Sequence, residues 1–371
     1  MRILQCTYYL LTFCGCFPPP SWTTPFKKCM YYIYAVFTLL LLNSFLLSQM
    51  LDAVFNVGNQ DELCENIRVT LVVLCTIWKI STILVRRANI ARLVDWLQKE
   101  PFLPVNAEEN EIHAKFEKIT DWHTIGYVSL LLISSFWIYG RSIVTDFKSR
   151  EFSTTLWVPY DYSPAWIFVL TYLHQLTAAT VCSISCVAGD SLYSGLLIHI
   201  YCQFEILEHR LKNITQERGY TVKLCVRHHD RIYKFAEMVN GEFKVIVFIQ
   251  FCTSMFVLCF NLYRMSQIKM DARFVEMALY TICTLTQIFY YCWYGNEVKL
   301  KSVQLSGAIF ESDWMSLNNS GRKAFQIMMV RAIRPLELNT GQIISVDLEC
   351  FMAVLKTSYS TFNVLQQSGP S

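Results

Sequence analysis

The sequence predicts an all-α membrane protein with seven transmembrane helices, a cytosolic N-terminus, an extracellular C-terminus and an intracellular helical anchor domain. Of its 371 residues, 53% are hydrophobic and only 16% are charged, whereas soluble domains carry roughly 25% charged residues. The apolar residues form stretches of about 20, the length of helix that crosses a hydrocarbon core roughly 30 Å thick. Lys and Arg are concentrated in alternate loops, as in membrane proteins with a defined orientation.

The apolar stretches predict spanning helices at 30–51, 67–85, 123–145, 165–189, 243–263, 274–295 and 345–366. Apolar character continues from Ala165 to Phe204. Because a helix of that length rises about 60 Å, we expect the fourth helix to project well beyond the membrane. Residues 1–29 contain a short apolar run that ends at the sequence FPPP. This run predicts a re-entrant or interfacial helix within a cytosolic N-terminal segment.

The loop charges predict the orientation. The segments 1–29, 86–122, 200–242 and 297–343 contain 22 Lys and Arg, against 5 in the three intervening loops. Basic loops remain in the cytosol, so the N-terminus is expected inside and, after seven crossings, the C-terminus outside. We divide the chain into residues 1–29 (cytosolic segment), 30–295 (helices 1–6 with intracellular extensions), 296–343 (intracellular anchor helices) and 344–371 (pore-lining helix 7 with a short extracellular tail).

Helical spacing of apolar residues predicts that the intracellular helices pack together. The apolar face expected for the last of them comprises Phe310, Trp314, Leu317, Phe325, Met328 and Met329. Ionisable residues inside spans are candidates for function. Lys79 and Arg141 lie near enough to helix ends for their charged groups to reach water. Asp347 and Glu349 either concentrate cations at the inner mouth of helix 7 or form ion pairs with an anchoring arginine.

Several classes of function are excluded. A net charge of +3 gives no electrostatic basis for nucleic-acid binding. The sequence has no GxSxG, HExxH, P-loop or GxGxxG motif, so we predict no enzyme, no cofactor and no metal site. The spans also lack the Gly and Pro breaks of secondary transporters. A G-protein-coupled receptor would show Asp-Arg-Tyr after helix 3, Asn-Pro-x-x-Tyr in helix 7 and the opposite loop charges.

The C-terminal third carries the most specific pattern. FESDWMSL at 310–317 and the stretch from Arg322 to Gln367 resemble the signature of insect odorant receptors. The features shared with that family are Trp314, the Met329-Arg331-Pro335 turn, Gly341 and the tail from Lys356 to Leu365. The related gustatory receptors end in a Thr-Tyr and Gln-Phe pattern, which this chain lacks.

The resemblance implies a ligand-gated, non-selective cation channel of four subunits in the plasma membrane of olfactory sensory neuron dendrites. The family's coreceptor has a much longer loop between helices 4 and 5 than the roughly 40 residues present here. The chain therefore resembles an odour-tuned subunit that requires the coreceptor. Its other expected partners are a small volatile odorant, membrane lipid and permeating cations. A metabotropic seven-helix chemoreceptor or a gustatory-type channel is the alternative.

The resemblance also implies two sets of site residues. The pore and gate residues are Tyr359, Ser360, Asn363, Val364, Gln367 and Ser368, with Val364 as the apolar constriction. Ser368 stands where the family usually has another apolar residue, and Tyr359 and Ser360 either bond between helices or face the permeation path. The odorant pocket is expected in the outer half, among helices 2, 3, 4 and 6. Its candidates are Ser134, Trp137, Ile138, Arg141, Ile167, Thr171, His174, Gln175, Tyr280, Cys283 and Thr284.

The walls of the expected pocket are apolar and aromatic with a few polar groups, which suits a small volatile molecule. Tyr280 and Trp137 are the strongest candidates for contact with the ligand. Ordinary helix packing is the alternative role for each residue of the pocket set.

Overall fold

The computed structural model describes residues 3–55, 60–214, 222–268, 270–341 and 344–368, without the side chains of residues 60–62, 64 and 365–368. This part of the chain is almost entirely helical, and an all-α fold is confirmed. The helices are α1 Gln5–Phe13, α2 Pro25–Phe55, α3 Gln60–Val85, α4 Arg87–Leu97, α5 Ala107–Val144, α6 Ala165–Lys212, α7 Val222–Gln267, α8 Ala272–Glu311, α9 Asn319–Ala332 and α10 Leu348–Ser368. The remaining elements are a 3₁₀ turn at Trp314–Ser316 and two short strands, β1 Asn339–Thr340 and β2 Ile344–Ser345.

Five of the helices are long and apolar enough to cross a membrane: α2, α3, α5, α6 and α7. The protein is therefore a multi-pass membrane protein. Helices α8 and α10 correspond to the predicted sixth and seventh spans, but among the described residues they do not reach the same mean hydropathy. Both carry many polar side chains. In α10, five polar residues follow one another: Lys356, Thr357, Ser358, Tyr359 and Ser360. Seven crossings and the orientation remain predictions.

The longest helices extend far beyond the thickness of a bilayer. Helix α6 has 48 residues and α7 has 46, and at about 1.5 Å per residue each is roughly 70 Å long. The predicted uninterrupted helix beyond Ala165 is thus confirmed, and its projection beyond the membrane stays a prediction. One half of α6, α7 and α8 packs with α4, α9 and the first half of α5, and we call this part of the fold the anchor layer. The other half, with α2, α3 and the second half of α5, is called the membrane layer because the predicted spans fall there.

Buried aromatic and aliphatic side chains hold the anchor layer together. Phe204, Phe235 and Phe325 are completely buried, and Met328 is almost so, which agrees with the predicted apolar face of α9. Phe310 was also assigned to that face, but it is 73% exposed. The assignment was wrong because Phe310 lies in the last turn of α8, one helix earlier, and points away from the packed side.

The predicted N-terminal helix is present as α1, and it packs against α5 and α6. Leu11 is completely buried, and the Thr7 hydroxyl lies 3.4 Å from that of Thr124. Close approach depends on Gly195 of α6, because a Cβ placed there would lie 2.3 Å from Leu4 Cδ2. The segment therefore belongs to the packed core of the fold.

A tight turn leads into α10. Gly341 has φ +59°, a left-handed conformation that glycine adopts without steric cost, and strands β1 and β2 pair across this turn. The turn rests on α8 at Gly295, where an added Cβ would lie 2.0 Å from the Val346 carbonyl oxygen. The position of α10 is therefore set by backbone contact with α8.

The predicted domain boundaries differ from the helix ends. Helix α2 begins at Pro25, before position 30, and α8 runs without a break through position 296 to Glu311. The division between residues 30–295 and 296–343 therefore falls inside one helix. A boundary is absent there because the membrane and anchor layers share their longest helices.

Candidate functional site

A cavity of about 120 Å³ lies among α3, α5, α6 and α8, in the half of these helices that is farther from the anchor layer. Its wall combines aliphatic Val69, Val72 and Leu176 with aromatic Tyr139 and Tyr280. An engineered apolar cavity of roughly 150 Å³ accommodates benzene. The cavity is therefore suited to one small, mainly apolar molecule.

Five of the eleven predicted pocket residues line this cavity: Ser134, Ile138, Gln175, Tyr280 and Cys283. They come from α5, α6 and α8, so the structure brings together residues that are up to about 150 positions apart in the sequence. Cys283 Sγ lies 3.3 Å from Ser134 Oγ, which joins α8 to α5 in the wall. Contact of these residues with a ligand remains a prediction.

The described wall of the cavity does not include several other candidates. Trp137 is 41% exposed, and its indole N–H points to the Ala272 carbonyl at 3.4 Å. His174 Nε2 lies 2.9 Å from the Ser44 hydroxyl of α2. Ile167 is half-buried near the start of α6. Trp137, one of the two strongest candidates, thus lies on a face of α5 that the cavity does not use.

Thr171 and Arg141 take part in packing contacts near the cavity. The Thr171 hydroxyl is 3.0 Å from that of Tyr160 in the loop before α6. Arg141 Nε donates to Glu276 Oε2 at 2.9 Å, and its Nη1 is 3.4 Å from Asp146 Oδ1. Since Glu276 lines the cavity, the ion pair with Arg141 lies directly behind the wall. The Arg141 side chain is 15% exposed and also lines a polar crevice, so the expectation that its charged group reaches water stays a prediction.

Sequence reasoning named no pocket residue of α3, although that helix supplies four residues to the cavity wall: Arg68, Val69, Val72 and Val73. Arg68 lines the cavity with a residue exposure of only 2%, and its guanidinium carbon lies 4.5 Å from the centre of the Tyr280 ring. Stacking of this kind is a favourable cation–π interaction. A charged residue at the outer end of the apolar stretch 67–85 was the signal that could have revealed it.

A second chamber of about 100 Å³ adjoins the first on the side of the anchor layer. Tyr280 and Cys283 line both chambers, and Thr284, the remaining pocket candidate, lines only the second. Gln250 of α7 and Gln287 of α8 meet in its wall, where Gln250 Nε2 donates to Gln287 Oε1 at 2.9 Å. Helix α7 is thereby connected to the cavity region.

A buried ionic network lies next to the second chamber. Asp190 of α6 pairs with Lys79 of α3, and the two side chains are 3% and 2% exposed. The same carboxylate accepts hydrogen bonds from Gln287 and Tyr291 of α8 and from Tyr127 of α5, the last at 3.4 Å. Lys79 was expected to reach water. It does not, because Asp190 compensates its charge inside the bundle.

Helix α10 packs on α7 and α8 through one narrow face. Cys350, Val354 and Ser358, spaced four residues apart, are buried, and the Ser358 hydroxyl donates to the Met255 carbonyl of α7 at 3.4 Å. Tyr359 and Val364 are 59% and 64% exposed. Of the other pore candidates, Ser360 is exposed and Asn363 half-buried, whereas the side chains of Gln367 and Ser368 lie outside the described residues.

The N-terminal end of α10 contains an ion pair. Asp347 is buried and its carboxylate lies 3.0 Å from Lys299 Nζ of α8. Asp347 also accepts from Ser345 at 2.7 Å. Of the two roles predicted for this residue, the structure shows pairing, with a lysine where an arginine was considered.

Comparison with known proteins gives a consistent result. The family model described as 7tm Odorant receptor matches residues 59–359. Odorant receptor 94a of Drosophila melanogaster is 23% identical over 83% of this chain and 81% of its own length. Odorant receptor 46a, isoform A, of the same species is 27% identical over 78% of both chains. Odorant receptor 10 of Aedes albopictus is 30% identical, over 38% of each chain.

The fold also matches solved structures. The insect olfactory receptor OR5 from Machilis hrabei, in complex with eugenol, superposes with a TM-score of 0.87 over 98% of this chain and 97% of its own, at 17% identity. The structure of the same receptor described without eugenol gives a TM-score of 0.86. Neither the match nor the site has the character of an enzyme. Because the family model covers most of the sequence and includes the pocket helices, the chain belongs to the insect odorant receptor family.

Proposed function

We propose that this chain is the odour-tuned subunit of a heterotetrameric, odour-gated, non-selective cation channel that it forms with the family's coreceptor. The observation that carries the proposal is the exposed polar face of α10, which includes Lys356, Tyr359 and Ser360. Polar and charged side chains are costly against lipid. They are tolerated where a helix lines a wet path between subunits, so α10 is assigned to the pore.

The cavity among α3, α5, α6 and α8 is the proposed odorant site. It is largely apolar and of a size that fits a small volatile molecule. The Machilis receptor of the same fold was solved with eugenol, a compact aromatic molecule. Ser134, Ile138, Gln175, Tyr280 and Cys283 are the predicted residues that would contact the ligand here.

Helix α7 is the proposed connection between odorant site and pore. It supplies Gln250 to the second chamber, and one turn further Met255 accepts the hydrogen bond from Ser358 of α10. A ligand that binds more tightly when α7 and α10 are in the open arrangement shifts the population toward that arrangement by its differential affinity. No covalent or nucleotide-driven step is needed.

Val364 is the proposed constriction of the pore, with Tyr359, Ser360 and Asn363 along the path and Gln367 and Ser368 beyond it. A ring of apolar side chains can close a pore by excluding water. We expect Val364→Thr, which keeps the shape but adds a hydroxyl, to increase the current measured without odorant. Val105→Thr, the same change at a 62% exposed position before α5, is the control and should leave that current unchanged.

The short connection between α6 and α7, residues 213–221, supports assignment to the odour-tuned subunits, because the coreceptor has a much longer one. We further propose that the N-terminus is cytosolic, the C-terminus extracellular and the site of action the dendritic plasma membrane of olfactory sensory neurons. An epitope at the C-terminus should then be accessible to antibody on intact cells. Access that requires permeabilisation would contradict this topology.

Patch-clamp recording from cells that express this chain with and without the coreceptor tests the channel proposal. We expect odour-evoked cation current only in the presence of both subunits, and the current should persist when G proteins are blocked with a non-hydrolysable GDP analogue. Loss of the current under this block would favour the metabotropic alternative. Full current from this chain alone would favour a gustatory-type channel.

A further inference from the structure

The guanidinium of Arg68 has unused hydrogen-bonding capacity in the wall of the odorant cavity. Its Nε and Nη1 are buried and make no hydrogen bond to any residue that the structure describes. Nη2 lies 3.9 Å from Glu65 Oε1, which is too far for a hydrogen bond. Buried donors without a partner are rare and costly, so a partner is expected when the site is occupied.

Two other polar side chains of the wall, Gln175 and Ser134, are already engaged with the protein. Gln175 Nε2 donates to the Thr154 carbonyl at 2.8 Å, and its Oε1 accepts from the Ser153 amide at 3.2 Å. Ser134 donates to the Leu130 carbonyl at 2.8 Å. Arg68 is therefore the group best able to offer N–H donors to a molecule inside the cavity.

The charges around the cavity favour a neutral ligand. Arg68 carries a positive charge, but Glu276 lies in the same wall and Glu65 one helical turn away. Arg141 pairs with Glu276 and Asp146, and Arg264 pairs with Glu65. Together with Arg68, three arginines therefore balance three carboxylates. A carboxylate ligand would add an uncompensated negative charge, whereas a carbonyl oxygen accepts a hydrogen bond without adding charge.

We propose that Arg68 makes this receptor selective for small, neutral, oxygenated odorants, whose carbonyl oxygen accepts a hydrogen bond from the guanidinium while the carbon skeleton fills the apolar cavity. Stacking on Tyr280 keeps the guanidinium plane at the cavity wall, so little side-chain entropy is lost on binding. The cavity volume of about 120 Å³ limits the skeleton to roughly one ring with a short substituent. This inference rests on the proposed function.

Odorant pairs that differ only in the acceptor provide the test. Acetophenone and α-methylstyrene have the same skeleton, with C=O replaced by C=CH₂, and cyclohexanone and methylenecyclohexane form a second pair. In cells that express the receptor with its coreceptor, we expect each ketone to be roughly tenfold to a hundredfold more potent than its hydrocarbon, the range for a hydrogen bond to a charged donor. Acetate and benzoate should be less active than the ketones.

Variants of Arg68 test whether this residue selects the ligand or only supports the cavity wall. Arg68→Met should reduce the difference within each pair to about threefold or less, and Arg68→Gln, which retains an N–H donor, should preserve part of it. If Arg68→Met does not reach the cell surface, the comparison is made with Arg68→Gln and the wild type. Arg87→Met is the control, because Arg87 also stacks on a tyrosine, Tyr32 at 5.7 Å, but it lies outside the described cavity wall.

The outcomes distinguish this inference from the proposed function. Equal potency of ketone and hydrocarbon, an equal loss of both in Arg68→Met, or silence of every oxygenated probe while other odorants evoke current would overturn the role of Arg68 and leave the channel intact. Absence of current with every odorant, although both subunits are at the surface, would contradict the proposed function itself.

Discussion

The buried pair formed by Lys79 and Asp190 should be a major determinant of stability in the membrane layer. Both side chains are at most 3% exposed, so neither charge is compensated by water. Removing one member of such a pair typically costs about 3–5 kcal/mol, because the other charge remains buried and unpaired. Lys79→Met and Asp190→Asn should each approach this loss of free energy of unfolding.

The double variant Lys79→Met/Asp190→Asn should lose much less free energy of unfolding than the sum of the two single losses. Met fills the space of the lysine stem, and Asn keeps an acceptor for Tyr291 and Gln287. We expect a coupling energy of at least ~2 kcal/mol, since a buried pair replaced as a whole often costs little. With an unfolding entropy of ~2.1 cal/mol/K per residue, each single loss lowers Tm by roughly 4–6 °C for a chain of 371 residues.

Thermal unfolding of the detergent-solubilised receptor, followed by fluorescence-detected size-exclusion chromatography, measures these differences. Lys234 and Asp230 serve as the matched control pair, because they are 2.8 Å apart but 57% and 56% exposed. The same cycle of substitutions there should give a coupling of only about 0.3–0.5 kcal/mol. Additive single effects at Lys79 and Asp190, or a coupling no larger than that of the exposed pair, would refute the reasoning.

Two further predictions concern the turn before α10 and the anchor layer. Gly295→Ala should displace the turn and abolish odour-evoked current, because the new Cβ would meet the Val346 carbonyl oxygen at 2.0 Å. Part of the protein should still reach the cell surface. Current equal to that of the wild type would contradict this prediction. In the anchor layer, burial lowers the pKa of His199 to about 3, and burial together with the charge of Arg210 lowers the pKa of His228 well below its usual value. Both residues are therefore neutral when folded but bind protons below pH ~6.5 when unfolded, so stability is greatest above that pH and falls as the pH decreases. At pH 5.5 each histidine should cost about 1.4 kcal/mol, and a Tm at pH 5.5 equal to or above that at pH 7.5 would exclude this effect.

The pH effect has a specific structural basis at His228. Its Nδ1 lies 3.1 Å from Arg210 Nη1, and because arginine can only donate, Nδ1 must accept. Nε2 then carries the proton and donates to Gln203 Oε1 at 2.9 Å. Protonation of Nδ1 would place two donors against each other. His228→Gln, whose amide oxygen can accept from Arg210, should remove about 1.4 kcal/mol of the loss of stability at pH 5.5.

Much of the helical framework could be predicted from the sequence. Apolar stretches of about 20 residues, the long uninterrupted run that begins at Ala165 and the glycine at position 341 each correspond to a feature of the structure. These features depend on neighbours within a few turns, and local patterns therefore report them. The all-α fold and the family followed from the same local evidence.

The site could be predicted only in part. Tyr280 was identified correctly as a residue of the cavity wall, whereas Trp137 occupies a different face of its helix. A sequence shows which residues lie at the outer end of a helix, but the face turned toward the cavity depends on the rotation of each helix against its neighbours. Arg68 was missed for the same reason, since its position over Tyr280 depends on the packing of α3 against α8.

The sequence by itself determined which segments leave water and form helices, because transfer of apolar stretches and local hydrogen bonding are properties of contiguous residues. Only the tertiary structure decided which partner each buried charged side chain has. Lys79 and Asp190 are 111 positions apart, and nothing in either neighbourhood indicates the other. Whether a charge in an apolar helix is exposed to water, paired or available to a ligand depends on what the folded chain places beside it.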